Sequence, residues 1–193
     1  MSQNIEIEFK NMLTKKEYEQ LLKEFKIKDG QIFSQENHYF DTADFSLKET
    51  GAALRIRQKG GAYEMTLKQP NEVGLLETNQ TLSRVEASLA MNQGQLPYGI
   101  IQELIAEQGI PFSKIDYFGS LTTNRVEFQY KNGLLVLDHS SYMGIDDYEL
   151  EYEVDSFTEG QKIFLELLAQ FGIPKRKTEN KILRFYNQRY KQL

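Results

Sequence analysis

The 193-residue chain contains no cysteine. That excludes disulfides, thiolate metal sites and cysteine nucleophiles, and it fits a reducing compartment, so a cytoplasmic protein is expected. Tryptophan is also missing, and the aromatic content is Tyr and Phe alone, spread along the chain. With 40% hydrophobic residues there is still enough apolar mass for a packed core, which argues against global disorder. No apolar run approaches the ~20 residues needed to span a bilayer. The opening segment, MSQNIEIEFK, has acidic residues where a signal peptide would have its apolar region, so neither leader nor membrane partner is expected. A net charge of −5 gives no basic surplus for nucleic acid, and none is expected as a partner. The length suits one domain over 1–193, and no internal repeat, low-complexity tract or long linker divides it.

What the chain does have is alternation. Residues 4–10 put Ile5, Ile7 and Phe9 on one side and Glu6, Glu8 and Lys10 on the other, a period of two that predicts a strand with one apolar face. Thr14 with Glu17 forms a capping box, followed at helical spacing by Tyr18, Leu21, Leu22 and Phe25 up to Gly30. A strand is predicted over 34–41. Residues 52–58 and 62–69 flank Lys59-Gly60-Gly61, a tight-hairpin signal, and a third strand near 74–81 continues the meander. The pattern from 83 to 108 is helical, with an interruption near 94–97. Residues 114–130 read as strand, and Lys131-Asn132-Gly133 signals a type I′ hairpin leading into 134–138. Another strand covers 147–155, and a helix covers 158–171, closed by Gly172 and Pro174. From Thr178 both helix and extended chain remain open. The expectation is an α+β fold: one antiparallel barrel of about eight strands forming a tunnel, with helices inserted between strands and packed outside.

One strand with a charged face is ordinary, because solvent can take the charge. Recurrence is not ordinary. Glu149, Glu151 and Glu153 project from one face of a strand that contains no Lys or Arg to separate them. Arg55 and Arg57 share a face between Leu54 and Ile56, Lys68 follows on the returning strand, and Arg125 lies in the next β-region. In a closed sheet these become one inward lining of acids and bases that apolar packing cannot fill. Carboxylates are hard ligands suited to Mg2+ or Mn2+, and Arg and Lys suit phosphate oxygens. Together they point to a triphosphate-bearing small molecule held with a divalent cation.

The ordered set Glu6-Ile7-Glu8-Phe9-Lys10, Tyr39-Phe40-Asp41-Thr42, Leu54-Arg55-Ile56-Arg57, Thr66-Leu67-Lys68, Arg125, Asp138 and Glu149-Leu150-Glu151 resembles the CYTH family, the triphosphate tunnel metalloenzymes. The order holds over nearly the whole chain. The resemblance implies that Glu6, Glu8, Asp138, Glu149 and Glu151, with Glu153 on their face, hold one or two divalent cations. It implies a phosphate clamp of Lys10, Arg55, Arg57, Lys68 and Arg125, and a catalytic set of Glu6, Glu8, Lys10 and Lys68. The family also carries a phosphate-binding lysine near the C-terminus, assigned here to Lys181 in Glu179-Asn180-Lys181-Ile182, with Arg184 and Lys177 as competitors. The activity implied is hydrolysis of inorganic tripolyphosphate to diphosphate and phosphate. Thiamine or nucleoside triphosphatase, class IV adenylate cyclase and a non-catalytic polyphosphate or nucleotide sensor stand as alternatives.

Other polar residues are read more plainly. Tyr39 shares a face with Asp41 and is a core tyrosine or a substrate contact. His38 and His139 point away from that face, and Glu77 is read as a rim salt bridge. Glu77, which alternates with Leu76, could also face the tunnel, and Tyr39 could also tune a lysine. Arg84 belongs to the surface, and Ile163, Leu167, Leu168 and Phe171 to the core. The segment 83–108 either covers the sheet or supports a homodimer.

Overall fold

The computed structural model describes residues 2–190. Its strands are β1 (Ser2–Leu13), β2 (Phe33–Thr42), β3 (Ala53–Lys59), β4 (Ala62–Pro70), β5 (Leu75–Leu82), β6 (Ile115–Tyr130), β7 (Gly133–Tyr142) and β8 (Ile145–Val154). The helices are α1 (Lys15–Glu24), α2 (Ser46–Glu49), α3 (Arg84–Gln93), α4 (Ile100–Glu107), α5 (Phe157–Gln170) and α6 (Lys181–Tyr190). Hydrogen bonding orders the strands β1-β5-β4-β3-β2-β6-β7-β8 and closes the sheet on itself, so the α+β barrel expected from alternation is what forms. Closure leaves no strand with an unpaired edge. Among the described residues no helix is long and apolar enough to cross a membrane.

Packing divides the chain into two compact units: Met1–Ile5 with Gln35–Leu121, and Glu6–Ser34 with Thr122–Leu193. In the first, β2 to β5 pair as successive antiparallel neighbours. Phe40, Leu54, Ile56, Met65, Leu67 and Leu82 form the sheet's apolar face, and Ala87 and Ala90 of α3 with Ile101 and Ile105 of α4 cover it. The β3–β4 hairpin turns on Gly60 (φ 58°) and Gly61 (φ 82°), the two positive angles that a type I′ turn requires. The interruption expected near 94–97 is the break between α3 and α4.

In the second unit Leu13, Val126, Leu135, Leu137, Leu150 and Tyr152 supply the apolar sheet face. Leu21 of α1 and Ile163, Phe164, Leu167 and Leu168 of α5 pack onto it. The capping box at α1 is present, with Thr14 N–H donating to Glu17 (2.7 Å) and Glu17 N–H to Thr14 Oγ1 (3.2 Å). The helix stops before the expected Gly30. Lys26 takes the left-handed conformation (φ 54°), Lys26 N–H bonds the Lys23 carbonyl and Ile27 N–H bonds the Leu22 carbonyl, which is a Schellman closure made without glycine.

The hairpin at 131–133 is present for a different reason from the one expected. Its loop is Lys131 and Asn132, and Gly133 already pairs with Tyr130 in the ladder. A Cβ on Gly133 would come within 2.5 Å of the Glu153 carbonyl oxygen and 2.7 Å of the Tyr152 ring, so here close packing requires the glycine. The stretch beyond Thr178, open from pattern alone, is helical from Lys181.

Candidate functional site

Strand register decides which charges share a face. In the second unit Glu8 lies opposite Glu153, Lys10 opposite Glu151, Asp138 opposite Glu149 and Arg125 opposite Asp138. Directly opposed residues point the same way, and Glu6 precedes Glu8 by two. All therefore stand on the face turned from the apolar cluster. Asp138, Glu149, Glu151 and Arg125 are also buried. Charges this deep must be paired, and they are.

Three cations meet these carboxylates. Arg125 makes a bidentate pair with Asp138 (Nε–Oδ1 2.8 Å, Nη2–Oδ2 2.7 Å) and reaches Glu151 at 2.9 Å. Lys181, the first residue of α6, places Nζ 2.8 Å from Asp138, 3.0 Å from Glu149 and 2.5 Å from Glu151. Arg184, one turn later, bonds Glu149 at 2.5 Å and Asp147 at 2.9 Å. Tyr142 donates to the same Asp147 oxygen, Oδ2, at 2.6 Å, which steadies that carboxylate. Lys10 lies 2.5 Å from Glu8 and 3.3 Å from the Asn180 side-chain oxygen.

The titration behaviour follows from this arrangement. Burial would lower the Lys181 ammonium pKa, yet Asp138, Glu149 and Glu151 outweigh it and raise it. Burial likewise opposes ionisation of Glu151, but Lys181, Arg125 and Lys10 hold it well below the usual carboxylate range. Lys10 is raised, because Glu8, Glu151 and Glu149 overcome its burial. Glu153 behaves oppositely. Burial first, then Glu6 and Glu151, push its carboxyl up to about 7.

Among the described residues no group of three or more His, Asp or Glu stands ready-made around a metal position, and the carboxylates are paired with lysine and arginine. The donor set nevertheless fits a hard divalent cation. It is entirely oxygen, and Glu149 Oε1 is buried without a hydrogen-bond partner. In addition, Glu6, Glu8, Glu151 and Glu153 repel one another where a cation would relieve them.

The basic set of the first unit is equally ordered. Arg55 lies opposite Thr66 and Tyr39, Arg57 opposite Asn37, and Lys68 opposite Glu77, all on the face turned from that unit's core. Arg57 Nε donates to Asn37 Oδ1 at 3.0 Å. Glu77 pairs with Lys68 at 2.5 Å and stands 4.0 Å from Arg55, so it is a salt bridge within the basic face rather than at a rim. Tyr39 is buried on that face. His38 points into the other face, with Nδ1 3.4 Å from the Tyr117 hydroxyl, and His139 stacks on Tyr148 at 4.7 Å, directed away from Asp138. Arg84 and Lys177 are exposed.

Two motif residues have structural work instead. Asp41 accepts from the Thr42, Leu47 and Lys48 amides, and Thr42 Oγ1 accepts from the Ser46 amide. Together they cap α2. Sequence reasoning missed Asp147 and Asn11. Asp147 precedes Glu149 by two and so shares its face, a signal that was available. Asn11 interrupts the apolar side of β1 between Phe9 and Leu13, and that interruption was the only sign of it.

A closed antiparallel barrel whose strands carry a carboxylate-rich face in one unit and a largely basic face in the other, each turned from its own apolar core, defines a class of barrel proteins with charged strand faces. The CYTH domain model matches residues 4–186, and the chain belongs to that family. It is 48% identical over 193 residues, the full length of both chains, to the Bacillus subtilis (strain 168) protein named "Putative triphosphatase YjbK". A crystal structure from Bacillus halodurans, described as "a putative adenylate cyclase", shares 45% identity, with 96% of this chain and 100% of that chain covered, at a TM-score of 0.93. The Hippeastrum protein HpAC1, described as a "putative adenylyl cyclase" that reveals a dominant triphosphatase activity, is 21% identical over 95% of this chain and 96% of its own, with a TM-score of 0.76. At that identity the likeness concerns the fold.

Proposed function

We propose that the protein is a divalent-metal-dependent triphosphatase that cleaves inorganic tripolyphosphate to diphosphate and phosphate, with Mg2+ or Mn2+ as the cation. The observation that carries this reading is the surplus of carboxylate on the second unit's inner strand face. The Glu153 carboxyl, pushed up to about 7 by burial and then by Glu6 and Glu151, together with the unpartnered Glu149 Oε1, supports a place for a further cation. Glu6, Glu8, Asp138, Glu149, Glu151 and Glu153 would hold the cation. Lys10, Arg55, Arg57, Lys68, Arg125 and Lys181 would take phosphate oxygens, with Glu6, Glu8, Lys10 and Lys68 nearest the reacting group. The relative named "Putative triphosphatase YjbK", 48% identical over its full length, supports the same reading.

When bound, the cation supplies Lewis acidity toward phosphate oxygens and a water ionised near neutral pH. The chain's own part is positioning and charge. In hydrolysis the bond from the terminal phosphorus to the bridging oxygen breaks and a bond to the water oxygen forms, while the water proton passes to solvent. Negative charge grows on the departing diphosphate, and the guanidinium and ammonium groups offset it. No protein nucleophile is required.

A class IV adenylate cyclase is the second reading, favoured by the description of the Bacillus halodurans structure. The two are separated by products. Purified protein incubated with tripolyphosphate, thiamine triphosphate or ATP, in Mg2+, Mn2+ or EDTA, is assayed for orthophosphate and for cyclic AMP. Metal-dependent orthophosphate from tripolyphosphate, lost in Glu8→Ala, is the expected result. Cyclic AMP with diphosphate from ATP would establish the second reading, and neither product from any substrate would sink both.

A further inference from the structure

We infer that Lys181 is an internal cation that occupies the carboxylate set Asp138, Glu149 and Glu151, and that a divalent cation binds there by displacing its ammonium group. The inference rests on the metal assignment proposed above and concerns what holds the site closed before metal arrives.

An ammonium group has three N–H donors and no acceptor. Lys181 directs Nζ at three carboxylates from two different strands, at 2.8, 3.0 and 2.5 Å, and donates a hydrogen bond to Glu151. A surface lysine gains little from one such partner, but this one is buried with only 13% of its side chain accessible, and two of its partners are nearly fully enclosed at 0% and 1%. Oxygen atoms converging on one positive centre from two strands are the environment of a bound cation, and here a side chain supplies that centre. Arg125 and Arg184 hold the same carboxylates, Arg125 through both oxygens of Asp138 (2.8 and 2.7 Å) and Arg184 through Oε2 of Glu149 (2.5 Å), sharing Asp138 Oδ2 and Glu149 Oε2 with Lys181. They would keep the ligands in place when Lys181 leaves.

Charge gives the exchange its direction. Asp138, Asp147, Glu149 and Glu151 face Lys181, Arg125 and Arg184, which leaves one net negative charge among groups in direct contact. Replacing the single charge of Lys181 with a divalent ion brings the set to neutrality. Keeping both would make it positive and crowd two cations against the same oxygens. Lys181 opens α6 and follows a stretch without helix or strand between Gln170 and Lys181, so its side chain can be released without unwinding a helix interior. Metal binding would thereby free an ammonium group for phosphate and order the two events, metal before triphosphate.

The test is Mn2+ affinity of the full chain without phosphate, measured by calorimetry and by electron paramagnetic resonance, for wild type, Lys181→Gln and Lys181→Arg. Displacement predicts that Lys181→Gln binds Mn2+ about tenfold or more tightly than wild type, with Lys181→Arg near wild type. Equal or weaker binding by Lys181→Gln overturns the inference while leaving the metal assignment intact. Absence of Mn2+ binding by every form overturns the metal assignment and the inference with it. Should Lys181→Gln fail to fold, amide exchange of the wild type decides: Mn2+ must accelerate exchange in the first turn of α6, and unchanged or slower exchange there overturns displacement.

Discussion

Replacing Asn11 by alanine should loosen the chain segment that carries Lys181. Asn11 is fully buried on the apolar side of β1, and its amide makes three bonds. Nδ2 donates to the carbonyls of Met12 (2.9 Å) and Pro174 (3.1 Å), and Oδ1 accepts from the Arg176 amide (2.6 Å). Arg176 then donates to the Met12 carbonyl at 2.8 Å and to both oxygens of Glu17 at 2.9 Å, and Thr178 Oγ1 accepts from the Met12 amide at 2.9 Å. The segment between α5 and α6 is thus fastened to β1 next to Lys10. Asn11→Ala strands the Pro174 carbonyl and the Arg176 amide and leaves a small void. At about 1 kcal/mol or more for each lost bond, plus the void, the cost is roughly 2–4 kcal/mol. For a chain of this size that lowers Tm by roughly 5–15 °C. Urea unfolding gives the energy and amide exchange gives its location, which should be 174–186. A loss under about 1 kcal/mol with unchanged exchange in α6 would refute the argument that Asn11 anchors this segment.

Gly133→Ala should destabilise by about 1–3 kcal/mol, because its Cβ would meet the Glu153 carbonyl at 2.5 Å and the Tyr152 ring at 2.7 Å; an unchanged urea midpoint would mean that β7 gives way freely. Hydrogen bonds from Arg176 hold the Glu17 carboxyl below its ordinary 4.5, so the folded state binds fewer protons than the unfolded. That contribution is complete above pH 4.5 and is lost as pH falls through the lowered value, so Arg176→Met should flatten the acid side of the stability profile; an unaltered acid slope contradicts it. If carboxylates of the second unit hold a divalent ion, Mg2+ at a hundred times its Kd adds about 2.7 kcal/mol of stability, visible as a Tm rise of roughly 5–10 °C that EDTA reverses. In Glu149→Gln most of that rise should vanish, and full retention would remove Glu149 from the ligand set.

Much of this protein could be read in one dimension. The alternation at Ile5 to Lys10 and at Glu149 to Glu153 reports a strand and the face each side chain takes, because both follow from a backbone period of two. The capping box at Thr14 and Glu17, the Gly60-Gly61 turn and the apolar stripe of α5 are likewise local, each decided within a few residues. The family signature is a string of such local patterns in fixed order, so it too was legible.

What the tertiary structure alone decided is who neutralises whom. Lys181 meets Asp138, 43 positions away, and Arg125 meets Glu151, 26 positions away. No periodicity encodes those meetings, because they depend on strand register and on where α6 is fastened. Arg184, named from sequence only as a rival for one role, proved to hold Glu149 and Asp147, and Asp41 proved to cap a helix. A residue's type and its face are local properties of the chain. Its counter-ion is set by closure of the sheet and by burial, which forces every enclosed charge to find a partner wherever the fold brings one near.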